Sequence, residues 1–521
     1  MRPTLLAFAI GLSVAAPLAA QESRLPDIGS SAAQVITPAQ QAEYGAMMIS
    51  QLRHYDLLLE DPLLDSWLDS LGSRLAASSD QPSQDFTFFL LKQRQINAFA
   101  TLGGYIGANA GLVLTAQSED EVAAVLSHEI AHVTQAHVLR AVERAQRDQL
   151  PILLAMLGAI VIAQQAGGSS SGDAAQAAMA SAMALMQQRQ IDYSRSNESE
   201  ADRVGIHTLS RADYDVDAMA AFFERMSTAH RGNSGGYQMP DYLKSHPVTT
   251  TRIGEAKERA ARMVDKAPLA GDMASDNPLL PASITLKGSR GKGGTGQFAL
   301  ARERLRVLSA DTPAAAIREY EALKRNGGTL DAAQRYGLAL ARLHAGQGTA
   351  ARAELSELLQ QRPDDVWLAL GMAEAEARAG QADAADRRFA ALLARMPDNR
   401  PVALTHARVL AERGGIEAGK RAVAVLRPLL GQAGDDPLFQ QTFARASEIA
   451  GDLVRAGEAY AEAAYLNGRP EQALIQLNTL KKRQDLDYYA RARIDARIAA
   501  ITPTVLELRR QGVRDEVLQR R

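Results

Sequence analysis

A five-residue pattern, HEIAH at residues 128–132, contains side chains that can bind a metal ion and accept a proton. Residues four apart in an α-helix share one face, so His128 and His132 can bind the same ion. A zinc ion held by neutral imidazoles keeps one position open for water and lowers the pKa of that water to about 7. Glu129 lies beside both histidines and is placed to accept the proton. The pattern predicts a zinc-dependent hydrolase.

A zinc ion with two histidine ligands needs a third protein ligand. Glu198, Glu200 and Asp202 are the best downstream carboxylates. Glu198 and Asp202 are four residues apart, so one can bind the ion while the other orients a ligand histidine. The residues alone favour Glu198 and Glu200 equally. The competing interpretation is that these carboxylates lie at the exposed N-terminus of a helix, where the helix dipole stabilises negative charge.

Two further histidines have open roles. His246 precedes Pro247, which biases its backbone to extended or turn geometry. It is predicted to be a fourth zinc ligand that closes the site, an oxyanion stabiliser or a buried structural residue. His137 follows His132 by five residues, which on a continuous helix is off the ligand face. It is predicted at the surface or behind a ligand.

Structural or surface roles are predicted for the remaining histidines, His54, His207, His230, His344 and His406. Arg195 and Arg252 are candidate partners of Asp202 or of substrate carbonyls, with a structural salt bridge as the equally weighted alternative.

The elements that must position these residues can be read from caps and composition. Ser118 and Glu121 form a capping box, which predicts the start of the helix that carries residues 128–132. No glycine or proline interrupts the chain to about Arg147, so a continuous helix is expected there. Residues 85–92 predict a strand, and residues 96–114 predict strand and turn structure. Helical patterning returns between Ile191 and about Met263.

A repeat occupies the second half of the chain. Gly346, Gly380 and Gly414 are spaced by 34 residues, and so are Pro363 and Pro397. Thirty-four residues is the period of the tetratricopeptide repeat, in which two helices pack closely through small residues. Alanines occupy the close-packing positions of these units at 339, 351, 373, 385, 407, 444 and 456.

Composition and length exclude several classes of protein. The 521 residues suggest two to four domains at about 100–200 residues each. The absence of cysteine excludes disulfides and thiol nucleophiles, so any metal must be held by histidines and carboxylates. A net charge of −2 gives no indication of nucleic-acid binding.

The chain is predicted to have four segments. Residues 1–20 have the basic start and apolar run of a secretory signal peptide. Residues 21–264 form the metalloprotease domain. Residues 265–296 are rich in proline and glycine and read as a linker that lets the two flanking parts be separated. Residues 297–521 form the helical repeat domain.

The combination of motifs resembles the BepA-type periplasmic metalloproteases, which are similar to HtpX and the CAAX prenyl proteases in their catalytic core. The resemblance covers nearly the whole chain after residue 20, including the repeats. It is carried by His128–His132, Asn97–Ala100 with Gly103-Gly104, Tyr193–Arg195, Glu198-x-x-x-Asp202-Arg-x-Gly205, Ser245–Pro247 and Arg252-Ile253.

The resemblance implies a fold and a set of residue roles. The fold is α+β and mainly helical, with a zincin-like domain followed by a tetratricopeptide array. One zinc ion per chain is bound by His128, His132 and Glu198, which favours Glu198 over Glu200. Glu129 is the general base, and Asp202 supports a ligand from behind.

It also implies a cellular role. The protein is expected in the periplasm, either soluble or peripherally associated with the outer membrane. It is expected to degrade misassembled outer-membrane proteins, to assist their assembly and to bind the assembly machinery through its repeats. Extended substrate is expected to pair with the edge of the strand near residues 97–100.

Two questions stay open in the sequence. The rival function is that of a periplasmic chaperone or scaffold that binds clients on its repeats and has a regulatory or silent zinc site. The second question is the segment 151–188. Its apolar run 151–163 is too short to cross a bilayer, so a core or lid role is favoured, with peripheral membrane contact as the alternative.

Overall fold

The structure is a computed structural model that describes residues 36–141, 143–144, 194–232, 242, 246–266 and 294–510. The predicted signal peptide, the segment 151–188 and most of the predicted linker lie outside these residues. Within the described ranges, no helix combines the length and the apolar character that crossing a bilayer requires. The mainly helical α+β fold predicted from the sequence is confirmed.

A four-stranded sheet and four helices form the first part of the chain. Their bounds are α1 Pro38–His54, β1 Leu58–Leu59, α2 Pro62–Ala77, β2 Thr87–Leu91, β3 Ala98–Ala100, β4 Tyr105–Asn109, α3 Ala110–Thr115 and α4 Glu119–Thr134. The strand order is β1-β2-β4-β3, which leaves β3 at an edge of the sheet. Strands β2 and β4 are parallel, whereas β3 and β4 are antiparallel with Phe99 opposite Gly107. The predicted strands are present, although residues 110–115 are helical.

Helix α4 begins at the predicted cap. The Ser118 hydroxyl accepts a hydrogen bond from Glu121 N at 3.3 Å. The Glu121 carboxylate accepts from Gln117 N at 2.8 Å instead of from the cap residue itself. The expectation that this helix continues to about Arg147 is wrong. It ends at Thr134 because Ala136 has a positive φ of 52°, which interrupts the helical hydrogen bonding before helical structure resumes at residue 137.

Three more helices belong to this part of the described structure. Helix α5 covers residues 194–211, and it is followed by α6 Asp217–Gly232 and α7 Thr250–Lys266. Helix α5 crosses α4 very closely at Gly205, where an added Cβ would lie 3.1 Å from His128 Cα. This close approach places the acidic residues of α5 beside the histidines of α4.

The repeats form an array of helices in which each helix packs on the next. The bounds are α8 Phe298–Leu308, α9 Pro313–Gly327, α10 Ala332–His344, α11 Gly348–Gln361, α12 Val366–Arg378, α13 Ala382–Arg395, α14 Arg400–Arg413, α15 Ile416–Leu426, α16 Pro437–Ile449, α17 Leu453–Leu466, α18 Pro470–Lys481 and α19 Tyr488–Arg510. Gly346, Gly380 and Gly414 have positive φ angles of 78°, 79° and 73° in the turns between helices, a conformation that favours glycine. The predicted close-packing alanines are all buried.

The array packs directly on α1 and α2. Arg304 of α8 donates to both carboxylate oxygens of Asp61, the N-cap of α2, at 2.6 and 2.7 Å. Trp67 of α2 contacts Phe298 of α8, with ring centroids 6.4 Å apart. One hydrophobic core continues from Leu59 into the helices of the array. The expectation that the linker lets the two parts be separated is therefore wrong, because each covers apolar surface of the other.

A second contact lies much further along the chain. Arg53 of α1 donates to Leu466 O at 3.1 Å, and Ser50 donates to Asn467 O at 3.4 Å. A Cβ at Gly468 would collide with Ser50, so the turn between α17 and α18 approaches α1 closely. The array therefore contacts α1 and α2 at two separate places.

Candidate metal centre

Four buried side chains converge between α4, α5 and the segment that precedes α7. They are His128, His132, Glu198 and His246, and their donor atoms all lie within 4.8 Å of one another. The Nε2 atoms of His128 and His132 are 3.0 Å apart. Glu198 Oε1 lies 3.4 Å from His132 Nε2, and Glu198 Oε2 lies 3.5 Å from His128 Nε2. Two imidazoles and a carboxylate directed at one small space form the donor set of a zinc site.

His246 adds a fourth nitrogen to this space. Its Nδ1 lies 2.9 Å from Glu198 Oε1 and 3.4 Å from His128 Nε2. Its ring stacks on that of Tyr242 with centroids 4.7 Å apart, and its backbone N–H donates to Tyr242 O at 2.7 Å. The position suits a fourth ligand, whereas the catalytic role of His246 stays a prediction.

Asp202 lies behind His128. The Nδ1 atom of His128 is 2.9 Å from Asp202 Oδ1, while Arg252 binds both oxygens of Asp202. Burial acts to raise the pKa of Asp202, but the hydrogen bonds from Arg252 and His128 lower it to about 2. The ionised carboxylate holds a proton on Nδ1 of His128, which leaves Nε2 free to bind an ion. Of the two candidate arginines, Arg252 makes this pair and Arg195 is exposed.

Glu200, the other candidate third ligand, faces away from the four donors. Its Oε2 lies 3.1 Å from His137 Nε2 and accepts a hydrogen bond from Arg140 Nη2 at 2.8 Å. The other ring nitrogen of His137, Nδ1, lies 2.8 Å from His132 Nδ1. The sequence left His137 either at the surface or behind a ligand, and the structure places it behind His132. The break at Ala136, which no glycine or proline marks, turns its side chain back toward His132.

Glu129 is buried next to the four donors. Its Oε1 lies 3.7 Å from His246 Nε2 and has no hydrogen-bond partner within the described ranges. Buried polar atoms normally have a partner, so this oxygen indicates a place for a water molecule or a substrate group. The arrangement fits a metal ion together with a proton acceptor beside it.

The protonation states of the three ligands respond differently to their surroundings. Burial acts to lower the pKa of His128, but hydrogen bonds with Asp202 and Glu198 raise it to about 10, so this imidazole must give up a proton when an ion binds. Burial acts to raise the pKa of Glu198, but hydrogen bonds from the three imidazoles hold it far below the usual range of a glutamate. Burial lowers the pKa of His132. An ionised carboxylate next to a neutral imidazole is the form in which both can act as ligands.

Three of the remaining histidines lie away from the cluster. His207 and His344 are exposed, and His406 is buried in the array against Phe389. The side chains of His54 and His230 are outside the described part of the structure.

Comparison with known families identifies two regions of the chain. Residues 62–260 match the profile of peptidase family M48, and residues 342–409 match a tetratricopeptide-repeat profile. All four cluster residues lie within the first match. The resemblance expected from the motifs is therefore confirmed, with a protease-family domain followed by repeats.

Individual relatives carry corresponding names. The chain is 36% identical over 343 residues to the putative beta-barrel assembly-enhancing protease of Vibrio cholerae. This match covers 66% of this chain and 64% of that protein. It is 32% identical over 354 residues to the beta-barrel assembly-enhancing protease of Escherichia coli K12, covering 68% of this chain and 66% of that protein. The matched region thus spans slightly less than two thirds of these relatives. A shorter match, 28% identical over 174 residues, covers 33% of this chain and 31% of the mitochondrial metalloendopeptidase OMA1 of Bos taurus.

Proposed function

Because residues 62–260 belong to peptidase family M48, we propose that this chain is a zinc-dependent endopeptidase. The observation that carries the proposal is the convergence of His128, His132 and Glu198 around one point, with the carboxylate of Glu129 beside them. A structural zinc site would not need a buried carboxylate oxygen without a hydrogen-bond partner next to its ligands, as Glu129 Oε1 is here.

The chain supplies the ligands and the proton acceptor for this chemistry. His128, His132 and Glu198 would hold the ion, and His246 is a further donor within reach. Zinc in such a site supplies Lewis-acid activation of water and of the substrate carbonyl near neutral pH. Glu129 accepts the proton of the attacking water and delivers it to the amine of the departing peptide fragment. Burial of the cluster excludes bulk water and strengthens each of these interactions.

The edge strand β3 is the proposed binding place for substrate backbone. Strand β3 lies at the edge of the sheet and packs against α4, the helix that carries His128 and Glu129. An extended peptide that hydrogen-bonds to this edge adds one more strand and runs past the cluster. Such pairing uses backbone groups, so it selects extended or unfolded segments over a particular sequence.

The cellular role is proposed from the relatives. Relatives of this chain are named beta-barrel assembly-enhancing proteases. We therefore propose that the chain acts in the periplasm on outer-membrane β-barrel proteins, degrading misassembled ones and assisting the assembly of others. The helical array is the proposed contact with the assembly machinery, because stacked helix pairs present an extended surface for other proteins.

The substitution Glu129→Gln tests the enzyme against the scaffold alternative. The amide keeps the shape of the side chain but cannot accept the proton, so the variant should bind one zinc ion per chain and lose cleavage of an unfolded β-barrel protein. Zinc content by atomic absorption and fragment formation by electrophoresis measure the two properties. Glu224→Gln, on the exposed face of α6, is the matched control. Undiminished cleavage by Glu129→Gln would refute the mechanism, and full assembly activity without any cleavage in the wild-type protein would favour a scaffold.

A further inference from the structure

We infer that His137, together with Glu200, is a positioning residue that fixes the tautomer of the ligand His132. The inference rests on the proposed metal site and concerns a path of hydrogen bonds that leads away from it. This outer path runs from His132 through His137 and Glu200 to Arg140, over distances of 2.8, 3.1 and 2.8 Å.

The direction of every hydrogen bond in the outer path follows from the first one. His132 can bind a metal through Nε2 only if the ring proton is on Nδ1. The proton on His132 Nδ1 then points at His137 Nδ1, which must accept it. A neutral His137 that accepts at Nδ1 carries its own proton on Nε2, and that atom faces Glu200 Oε2. The Glu200 carboxylate accepts a hydrogen bond from His137 and another from Arg140. Every hydrogen bond of the outer path therefore joins one donor to one acceptor.

The path exists because the helix breaks. On an uninterrupted helix, His137 would point well away from His132. The positive φ of Ala136 ends the regular helix and turns the next residue back over the last turn of α4. His137 is only 3% exposed, so its ring is buried although the segment that carries it lies at the end of the helix.

The other ligand histidine has an equivalent support. His128 Nδ1 faces Asp202, and Asp202 is held by Arg252. The Nδ1 atom of His128 thus faces a carboxylate that an arginine binds. The Nδ1 atom of His132 reaches such a carboxylate only through the imidazole of His137. The two supports differ in exposure, because the side chain of Asp202 is fully buried whereas that of Glu200 is 29% exposed.

Metal affinity measured on the full chain tests the outer path. His137→Ala removes the acceptor of His132, so zinc affinity by competition with a chelator should fall about 10- to 100-fold, the range for loss of an outer-shell partner. Glu200→Ala should cause a smaller loss. Because the two residues act in series, the double variant should bind zinc no more weakly than His137→Ala alone. His137→Asn, whose amide oxygen replaces Nδ1 as acceptor, should recover most of the affinity.

A second readout and a control separate positioning from a folding defect. The visible spectrum of the cobalt-substituted protein should change in His137→Ala and return toward that of the wild type in His137→Asn. His207→Ala, a substitution on the exposed face of α5, should leave both the affinity and the spectrum unchanged. Wild-type affinity in His137→Ala, or losses that multiply in the double variant, would overturn the inference. A wild-type chain that takes up no zinc would contradict the proposed function itself and remove the inference with it.

Discussion

Arg252 binds Asp202 through two hydrogen bonds, from Nε to Oδ2 at 2.7 Å and from Nη2 to Oδ1 at 2.8 Å. Its remaining nitrogen, Nη1, donates to Pro247 O at 3.0 Å. One guanidinium therefore joins the carboxylate behind His128 to the segment that carries His246.

Replacing this guanidinium by an ammonium group should destabilise the protein. Lysine cannot reproduce the planar pair of bonds to Asp202, so Arg252→Lys leaves a buried carboxylate oxygen without its charged donor. The free energy of unfolding in urea, measured without metal, should fall by about 2 kcal/mol. Arg259→Lys in the same helix alters a more exposed pair with Glu255 and should change it much less. Equal losses in the two variants would contradict the role assigned to Arg252.

Zinc titration should identify the third ligand. Glu198→Ala removes a donor that faces both ligand histidines and should weaken zinc binding by more than about 100-fold, beyond the range for outer-shell partners. Glu200→Ala should weaken it by no more than about tenfold. Competition with a chelator of known affinity measures both. If the two results were exchanged, Glu200 would be the ligand and the geometry of the cluster would have to change on metal binding.

The substitution His246→Ala should decide among the three roles predicted for this residue. His246 Nδ1 is directed into the donor cluster. If His246 acts as a closing fourth ligand, its removal should raise basal cleavage of an unfolded protein severalfold. Gel-based cleavage rates of the full chain measure this. A fall in the rate would indicate oxyanion stabilisation. A rate equal to that of the exposed control Thr250→Ala would indicate a structural role.

His406 should make the stability of the array depend on pH. Burial is the main cause that lowers the pKa of His406 to about 4. The charges of Arg421 and Arg413 also lower this pKa, whereas the charge of Asp386 raises it. As the pH falls below about 6.5, the unfolded chain takes up a proton that the folded chain binds only near pH 4, so folding loses stability in this window. Between pH 7.5 and 5.0 the free energy of unfolding should fall by about 2 kcal/mol from this residue alone.

Comparison with His406→Phe isolates this contribution. Phenylalanine keeps the stack on Phe389, whose ring centroid lies 4.4 Å from that of His406, but it does not titrate. Urea unfolding at the two pH values should show a smaller difference for the variant than for the wild type. An unchanged difference would show that other groups cause the pH dependence.

The contact between Asp61 and Arg304 should be essential for the stability of the whole chain. Arg304→Met leaves the Asp61 carboxylate buried without its partner, which should cost about 3–5 kcal/mol in the free energy of unfolding. Part of this loss should return in the double variant with Asp61→Asn, because the unpaired charge is then gone. Arg318→Met, at an exposed position of α9, is the control. A loss no larger than that of the control would mean that the array does not stabilise α2.

Much of the fold and most of the cluster could be predicted because the signals are local. The 34-residue glycine series marks turns that require a positive φ, and Ser118 marks the start of α4. The spacing of residues 128–132 places two imidazoles on one helix face. The carboxylate Glu198 could be separated from Glu200 only through the family resemblance, since both lie in the same acidic stretch.

The parts that were missed depend on contacts between distant segments. Ala136 adopts a positive φ although alanine gives no local signal for it, so the sequence could not decide whether His137 lies at the surface or behind a ligand. The packing of the array on α2 was also missed, because the glycine- and proline-rich linker suggested independence. Charged residues such as Asp61 and Arg304 read as surface positions in the sequence, and only the folded chain buries them against each other.

The contact between Ser50 and Asn467 joins residues that are 417 positions apart in the chain. At about 5–20 residues per second, synthesis of that interval takes on the order of tens of seconds. During the first part of this time α2 has emerged without α8, so Trp67 has no Phe298 to contact. Helix α1 lacks its contact with residues 466–468 for the whole interval. Such long-range contacts slow folding and leave apolar surface open to aggregation. A protein proposed to act on incompletely folded chains thus passes through an incompletely folded stage of its own.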